Sequence, residues 1–196
     1  MNESVKIKTY DAPPIDTREI LRYAGCRGCD FATESLLEEC LAEVRERLIY
    51  RVCYLELPLT LQERECDFGC FTMQSDALSA HLQGCERVLL MGATVGFELD
   101  RLIAKYSRIS PAKALMLQAI GAERVEALCD RFCEDLGQDG YDLTARFSPG
   151  YGDLPLEAQR DVVCLLQADR RIGIYLNESL LMTPTKSVTA IIGIKQ

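Results

Sequence analysis

The chain has 196 residues, of which 48% are apolar and 27% charged; these are ordinary values for a folded protein and exclude general disorder. A formal net charge of −8 repels phosphate backbones and argues against nucleic acid as a partner. No run approaches the roughly 18 apolar residues of a membrane-spanning helix, and the polar stretch Met1 to Asp16 has no apolar core of a secretion signal. The expectation is a cytoplasmic protein with no membrane contact, in which ten cysteines stay as thiols.

In chain order, Val5 and Ile7 open a strand that Pro13-Pro14 turn aside. Asp16 or Thr17 is placed to cap a short helix through Tyr23, which Gly25 ends. Leu36, Leu37, Cys40, Leu41, Val44 and Leu48 recur at three- and four-residue steps, predicting a helix over 33–51. Val52 to Leu57 reads as a strand limited by Pro58. Ser75 opens a helix over Leu78 and Leu82 that stops near Gly84. Arg87 to Thr94 is a buried strand, and Val95-Gly96 feed a helix over 97–106. Pro111 suits the first turn of a long helix over 110–136, which Gly121 is positioned to break or bend. The chain leaves regular structure at Pro149-Gly150, resumes as a helix over 156–166, and closes with strands over 171–176 and 187–194. Helices and strands mix without a βαβ rhythm, which predicts α+β with an antiparallel or mixed sheet.

Four features could carry chemistry. In Arg146-Phe147-Ser148-Pro149-Gly150-Tyr151, proline fixes φ and glycine frees it. Such a loop offers backbone groups to a ligand, beside a guanidinium fork suited to a carboxylate and a tyrosine ring. By composition alone, an ordinary Pro-Gly turn beside a surface arginine is the stronger reading. Gly92-Ala-Thr-Val-Gly96 lacks the third glycine of a dinucleotide turn and the Gly-Lys end of a P-loop, so it reads as a tight strand-to-helix turn. Cys26-x-x-Cys29 with Cys66-x-x-x-Cys70 is the raw material of a metal or redox site, whereas Cys129 and Cys133 share one helix face as buried thiols do. Glu126, among Val125, Ala127 and Leu128, is either a solvated carboxylate or an inward-facing one.

The segment Arg146-x-Ser-Pro-Gly-Tyr-x-x-x-Pro155 resembles the Arg-x-x-Pro-Gly-Tyr-x-x-x-Pro signature of the activation domain of cobalamin-dependent methionine synthase. Some thirty residues later, Glu178-Ser-Leu-Leu-Met-Thr-Pro-Thr-Lys-Ser-Val188 is similar to that family's Glu-Ser-aromatic-x-Met-x-Pro-x-x-Ser-Val. Gly92-Ala-Thr-Val-Gly96 and Glu126-Ala-Leu fit its helical region, and the likeness is strongest from Arg87 to Ile194. Leu180 departs from the pattern, which often has an aromatic residue there.

The resemblance implies a C-shaped α+β domain, a twisted antiparallel or mixed sheet flanked by helices, spanning 1–196, with a helical N-terminal part (1–85) and a motif-bearing part (86–196). It implies S-adenosylmethionine binding. Arg146 would take the methionyl carboxylate, and Ser148, Pro149, Gly150 and Tyr151 would contact the rest of the ligand. Glu126 would lie near it and Asp16 would meet its ammonium. Cobalamin would reside only on a partner, since no corrinoid-, folate- or homocysteine-binding region accompanies the motifs. The expectation is therefore reactivation in trans of a separate methionine synthase polypeptide that lacks its own activation domain, within methionine biosynthesis, with a flavodoxin- or ferredoxin-like electron donor. The competing expectations are a cysteine-based metal or redox protein, and a scaffold for a corrinoid protein that has lost its ligand site.

Overall fold

The computed structural model describes residues 4–26, 28 and 30–195. The first half of the chain forms β1 (Lys6–Tyr10), α1 (Thr17–Tyr23), α2 (Phe31–Val44), β2 (Tyr50–Pro58), β3 (Thr60–Gln62), β4 (Glu65–Asp67), β5 (Thr72–Gln74) and α3 (Asp76–His81). The second half forms β6 (Cys85–Thr94), α4 (Glu98–Ile109), α5 (Pro111–Gln138), β7 (Asp142–Leu143), α6 (Ala158–Leu166), α7 (Ala168–Arg171), β8 (Tyr175–Leu176), β9 (Met182–Thr183) and β10 (Ser187–Lys195).

The main sheet has the order β1-β2-β6-β10-β7, and every pair in it is antiparallel. Both of its faces are covered. Val52, Tyr54, Leu89, Met91, Ala190 and Ile192 point to one side, where Leu128, Phe132 and Leu136 of α5 meet them. Cys53, Leu55, Leu57, Val88, Leu90 and Ile191 point to the other, against Val162 and Leu166 of α6. A strand buried on both faces has no polar side to alternate, which explains the unbroken apolar run Val88 to Met91. A third cluster joins α1, α2 and α4 to the N-terminal half of α5 through Ile20, Leu37, Leu99, Leu117 and Ile120. The edge strand β1 carries Lys6 and Lys8, exposed or half-exposed charges of the kind that blunt a sheet edge.

The antiparallel α+β architecture agrees with the sequence reading, and so do the caps at Asp16 and Ser75. Two expectations are corrected, and a small sheet is added. The helix expected over 33–51 ends at Val44, and Tyr50 already belongs to β2; the Ile49 amide donates to Val95 O (3.1 Å), so sheet pairing outcompetes the last helical turn. The strand expected over 171–176 is mostly α7 and its exit. There the amides of Ile172 and Ile174 both donate to Ala168 O, leaving only Tyr175–Leu176 to pair with β9. The small sheet β3-β4-β5 escaped detection because three-residue strands hold too few apolar positions to show a period.

Gly121 neither breaks nor bends α5, which runs unbroken from Pro111 to Gln138. It is there for space. A Cβ at 121 would lie 2.3 Å from Leu99 Cδ2 and 2.8 Å from Lys186 Cγ. Gly121→Ala should therefore destabilise the protein by about 1–3 kcal/mol through overpacking, although alanine by itself favours a helix by about 1 kcal/mol. Urea unfolding checks this, and a more stable variant would contradict it.

Candidate functional site

The site is built on α5. Its apolar residues Val125, Leu128, Cys129 and Phe132 face the sheet, which turns Glu126, Asp130 and Glu134, spaced four apart, to one outer flank. Opposite this flank lies the chain segment Pro13-Pro14 leading into α1. Between them is an open cleft of about 590 Å³ lined by Pro13, Pro14, Asp16, Glu19, Tyr23, Glu123, Glu126, Ala127, Asp130, Arg131 and Glu134. Six of these are carboxylates and one is a cation, so the cleft favours a positively charged ligand.

A buried ion pair fixes the far wall. The side chains of Glu123 and Arg124 are 4% and 2% exposed. Arg124 donates to Glu123 and to Pro13 O and Pro14 O, both at 2.6 Å. Glu123 Oε1 in turn accepts from the Asp16 amide (3.0 Å). Each buried charge thus has a counter-charge and further hydrogen bonds, the condition for tolerating it. Asp16 is the N-cap of α1, accepting through Oδ1 from the amides of Arg18 (2.9 Å) and Glu19 (3.1 Å). Its carboxylate is therefore held by its own helix, and its backbone amide by Glu123 of α5.

Arg146 reaches the near edge of the cleft. Residues 142–147 run along β10: Thr144 N donates to Gly193 O, and Phe147 and Ile191 exchange both backbone bonds. Phe147 shares the α6 side with Ile191, while Arg146 meets α5. Nη2 donates to Glu126 Oε2 (2.8 Å) and Nη1 to Asp130 Oδ1 (2.6 Å). Burial opposes the Arg146 charge, but Asp130, Cys129 and Glu126 outweigh it and hold the guanidinium protonated above its ordinary range. Asp16 and Glu126 thus line one cleft, and Arg146, which is not part of its lining, holds Glu126 and Asp130 at its edge.

The rest of the loop lies beyond the cleft walls. Gly150 sits at φ +89°, and its amide donates to Leu154 O while Tyr151 N donates to Ser148 O; the positive φ is what only glycine adopts readily. Ser148 is half-buried, Pro149 buried and Gly150 exposed. Tyr151 is 69% exposed and leans edge-on against Phe147, with ring centroids 5.3 Å apart. None of these four lines the cleft.

Asp153 ties this loop to α3. Its carboxylate accepts from Ser75 Oγ (2.5 Å), Asp76 N (2.8 Å) and Ala77 N (3.1 Å). These bonds hold its pKa at about 2, Ser75 contributing most. A carboxylate whose folded pKa lies below its unfolded value stabilises above about pH 4 and loses that stabilisation as pH falls toward 2. Asp153→Asn should flatten the acid limb of a melting-temperature profile between those values. A limb as steep as that of the wild type would show that the ties contribute nothing.

The segment 178–188 is a brace rather than a wall. Thr185 donates from its amide and its hydroxyl to Asp100 of α4, Ser187 Oγ donates to Thr94 Oγ1 (2.9 Å), and Lys186 packs over Gly121. Leu180 has φ +63°, and its carbonyl accepts from Gln159 Nε2 (2.9 Å). The turn at Val95-Gly96 likewise serves packing: Thr94 Oγ1 accepts from Gly96 N, and a Cβ at 96 would lie 2.5 Å from Ile49 Cγ1.

Among the described residues, no group of three or more His, Cys, Asp or Glu side chains is arranged to hold a metal. Cys29 of the Cys26/Cys29 pair lies outside them. Cys66 is fully buried, and burial pushes its thiol up to about 11, whereas Cys70 is exposed. A thiol that stays protonated at neutral pH is a poor ligand or nucleophile. Cys129 is buried and Cys133 half-buried, both facing Arg146. Sequence reasoning missed Glu123, Arg124, Asp130 and Tyr23. An adjacent Glu-Arg pair on a long helix looks like solvated charge until the Pro13-Pro14 carbonyls are placed against it.

The antiparallel sheet packed on a long helix, with α1 and α4 against that helix, is a fold similar to that of one solved structure, "Crystal Structure of the MetH Reactivation Domain bound to AdoHcy". The two folds agree with a TM-score of 0.68 over 97% of this chain and 78% of that one, at 14% sequence identity. Residues 71–196 match the family model "Vitamin B12 dependent methionine synthase, activation domain", and the chain belongs to that family. No curated protein matches the sequence. Glu126, Arg146 and the 178–188 segment fall within the matched residues; Asp16 precedes them. No helix among the described residues is long and apolar enough to cross a membrane.

Proposed function

We propose that residues 1–196 act as one activation domain in the cytoplasm, binding S-adenosylmethionine at the α1–α5 cleft and presenting its methyl group to cobalamin on a separate methionine synthase polypeptide. One observation carries the reading: Asp16 and Glu126, from distant stretches of chain, line a single acidic cleft, and Arg146 is ion-paired to its wall through Glu126 and Asp130.

The residues present fit this ligand. S-adenosylmethionine carries a sulfonium, an ammonium and a carboxylate, a net positive charge suited to the negative surplus left by the six lining carboxylates against Arg131 and the partners Arg22, Arg124 and Arg146. Asp16 receives the ammonium, and Arg146 takes the carboxylate with its planar fork. Glu126 lies between them and faces the positive part of the ligand. Ser148, Pro149, Gly150 and Tyr151 lie outside the cleft walls and would meet the rest of the ligand where it extends past Arg146. When bound, the ligand supplies the methyl group, and the contribution of this chain is orientation. The partner is a corrinoid-bearing methionine synthase without its own activation domain, served by a flavodoxin- or ferredoxin-like electron donor.

Isothermal titration of the folded protein with S-adenosylmethionine should show saturable binding. Adding the protein to a methionine synthase stripped of its activation domain should restore reactivation. Absence of binding overturns the ligand assignment; binding without restored reactivation overturns the action in trans.

A further inference from the structure

Arg146 already has two partners from this chain, and this bears on how a ligand carboxylate reaches it. Nη1 and Nη2 are taken by Asp130 and Glu126, which sit four residues apart on one face of α5. A ligand carboxylate arriving as a third anion around one guanidinium would meet net repulsion. Arg146 itself is anchored, with its side chain 22% exposed, its backbone between β10-paired neighbours, and Cys129 and Cys133 against it. Each terminal nitrogen keeps a second N–H, so the obstacle to a ligand carboxylate is charge, and it is relieved when one of the two carboxylates turns away.

We propose that Asp130 is that group, a displaceable latch that occupies Nη1 until the ligand carboxylate replaces it. The proposal rests on the reading of the cleft as an S-adenosylmethionine site. Asp130 is the more exposed partner, 63% against 43% for Glu126, and its hydrogen bond lies on the exposed side of the guanidinium whereas that of Glu126 is partly buried. Turning Asp130 into water therefore costs less than turning Glu126 out. Before the ligand arrives, the latch keeps the Arg146 fork aligned, so the exchange trades one carboxylate for another with little reordering. Asp130 is thus a positioning and specificity-determining residue that tunes affinity for carboxylate-bearing ligands.

The test is a comparison of two ligands on two proteins. Isothermal titration is run with S-adenosylmethionine and with its decarboxylated analogue, on the wild type and on Asp130→Asn, with thermal unfolding as the check on folding; Asp130→Ala is the second variant. Removing an exposed ion pair that competes with the ligand should tighten S-adenosylmethionine binding by about two- to fivefold. The analogue has no carboxylate to use the vacated nitrogen and loses an attractive charge, so its affinity should stay level or fall. Unchanged or weaker S-adenosylmethionine binding in both variants overturns the latch, as does an equal gain for both ligands. If the folded wild type binds neither ligand, the site assignment and the latch fall together.

Discussion

Arg124→Met should lower the unfolding free energy by about 3–5 kcal/mol, the range for breaking one side of a buried ion pair. The methionine keeps most of the stem's packing, so the loss comes from charge and hydrogen bonds. Glu123 stays 4% exposed without its counter-charge, and Pro13 O and Pro14 O lose the donors that Arg124 supplies. Urea denaturation at neutral pH measures the change. The double variant Glu123→Gln/Arg124→Met should recover part of it, because the uncompensated charge is gone. A drop below 1 kcal/mol would mean that water reaches the pair. The same substitution should also weaken ligand binding in the protein that remains folded, since Arg124 holds the Pro13-Pro14 segment that delivers Asp16 to the cleft.

Arg146→Ala should produce the opposite pattern. Losing a charge-assisted contact to a carboxylate corresponds to about 1.5–3 kcal/mol, a ten- to hundredfold rise in Kd for S-adenosylmethionine. Stability should change by less than about 1 kcal/mol, because the two released carboxylates are exposed enough to find water. Arg146→Lys should not restore the affinity, since a single ammonium lacks the planar fork that addresses two acceptors at once. Calorimetric titration beside a denaturation curve separates the two effects. A fall in stability with affinity intact would make Arg146 a structural residue and remove the basis of the ligand assignment.

The contrast between these arginines shows where sequence reading reaches. Arg146 stands in a motif, Arg-x-Ser-Pro-Gly-Tyr, whose proline and glycine announce an unusual backbone, and so it was legible. Arg124 stands in an ordinary amphipathic helix, and nothing local distinguishes it from the solvated Arg131. Its role depends on two proline carbonyls more than a hundred residues earlier in the chain. Asp130 was missed for the same reason: spacing puts it on the Glu126 face of α5, but only the β10-paired segment 142–147 brings Arg146 across to it. Conversely, Tyr151 drew attention as a ring beside the loop, and in the fold that ring rests on Phe147 at the outside of the molecule.

Local chemistry was enough to mark the helix starts at Asp16 or Thr17 and at Ser75, a buried strand over 87–94, the long helix begun by Pro111, the α+β class with an antiparallel or mixed sheet, and the family. Each of these depends on neighbours within a few residues or on a motif of fixed spacing. The tertiary structure alone decided that α2 stops at Val44, that Gly121 is a packing contact for Leu99 and Lys186, and that the 178–188 motif braces α4. It alone brought Asp16, Glu126 and Asp130 into one acidic cleft, with the Arg146 guanidinium paired at its edge. The physical reason is that hydrogen bonds and ion pairs between distant segments leave no periodicity in the chain; they exist only once the sheet has fixed which segments lie side by side.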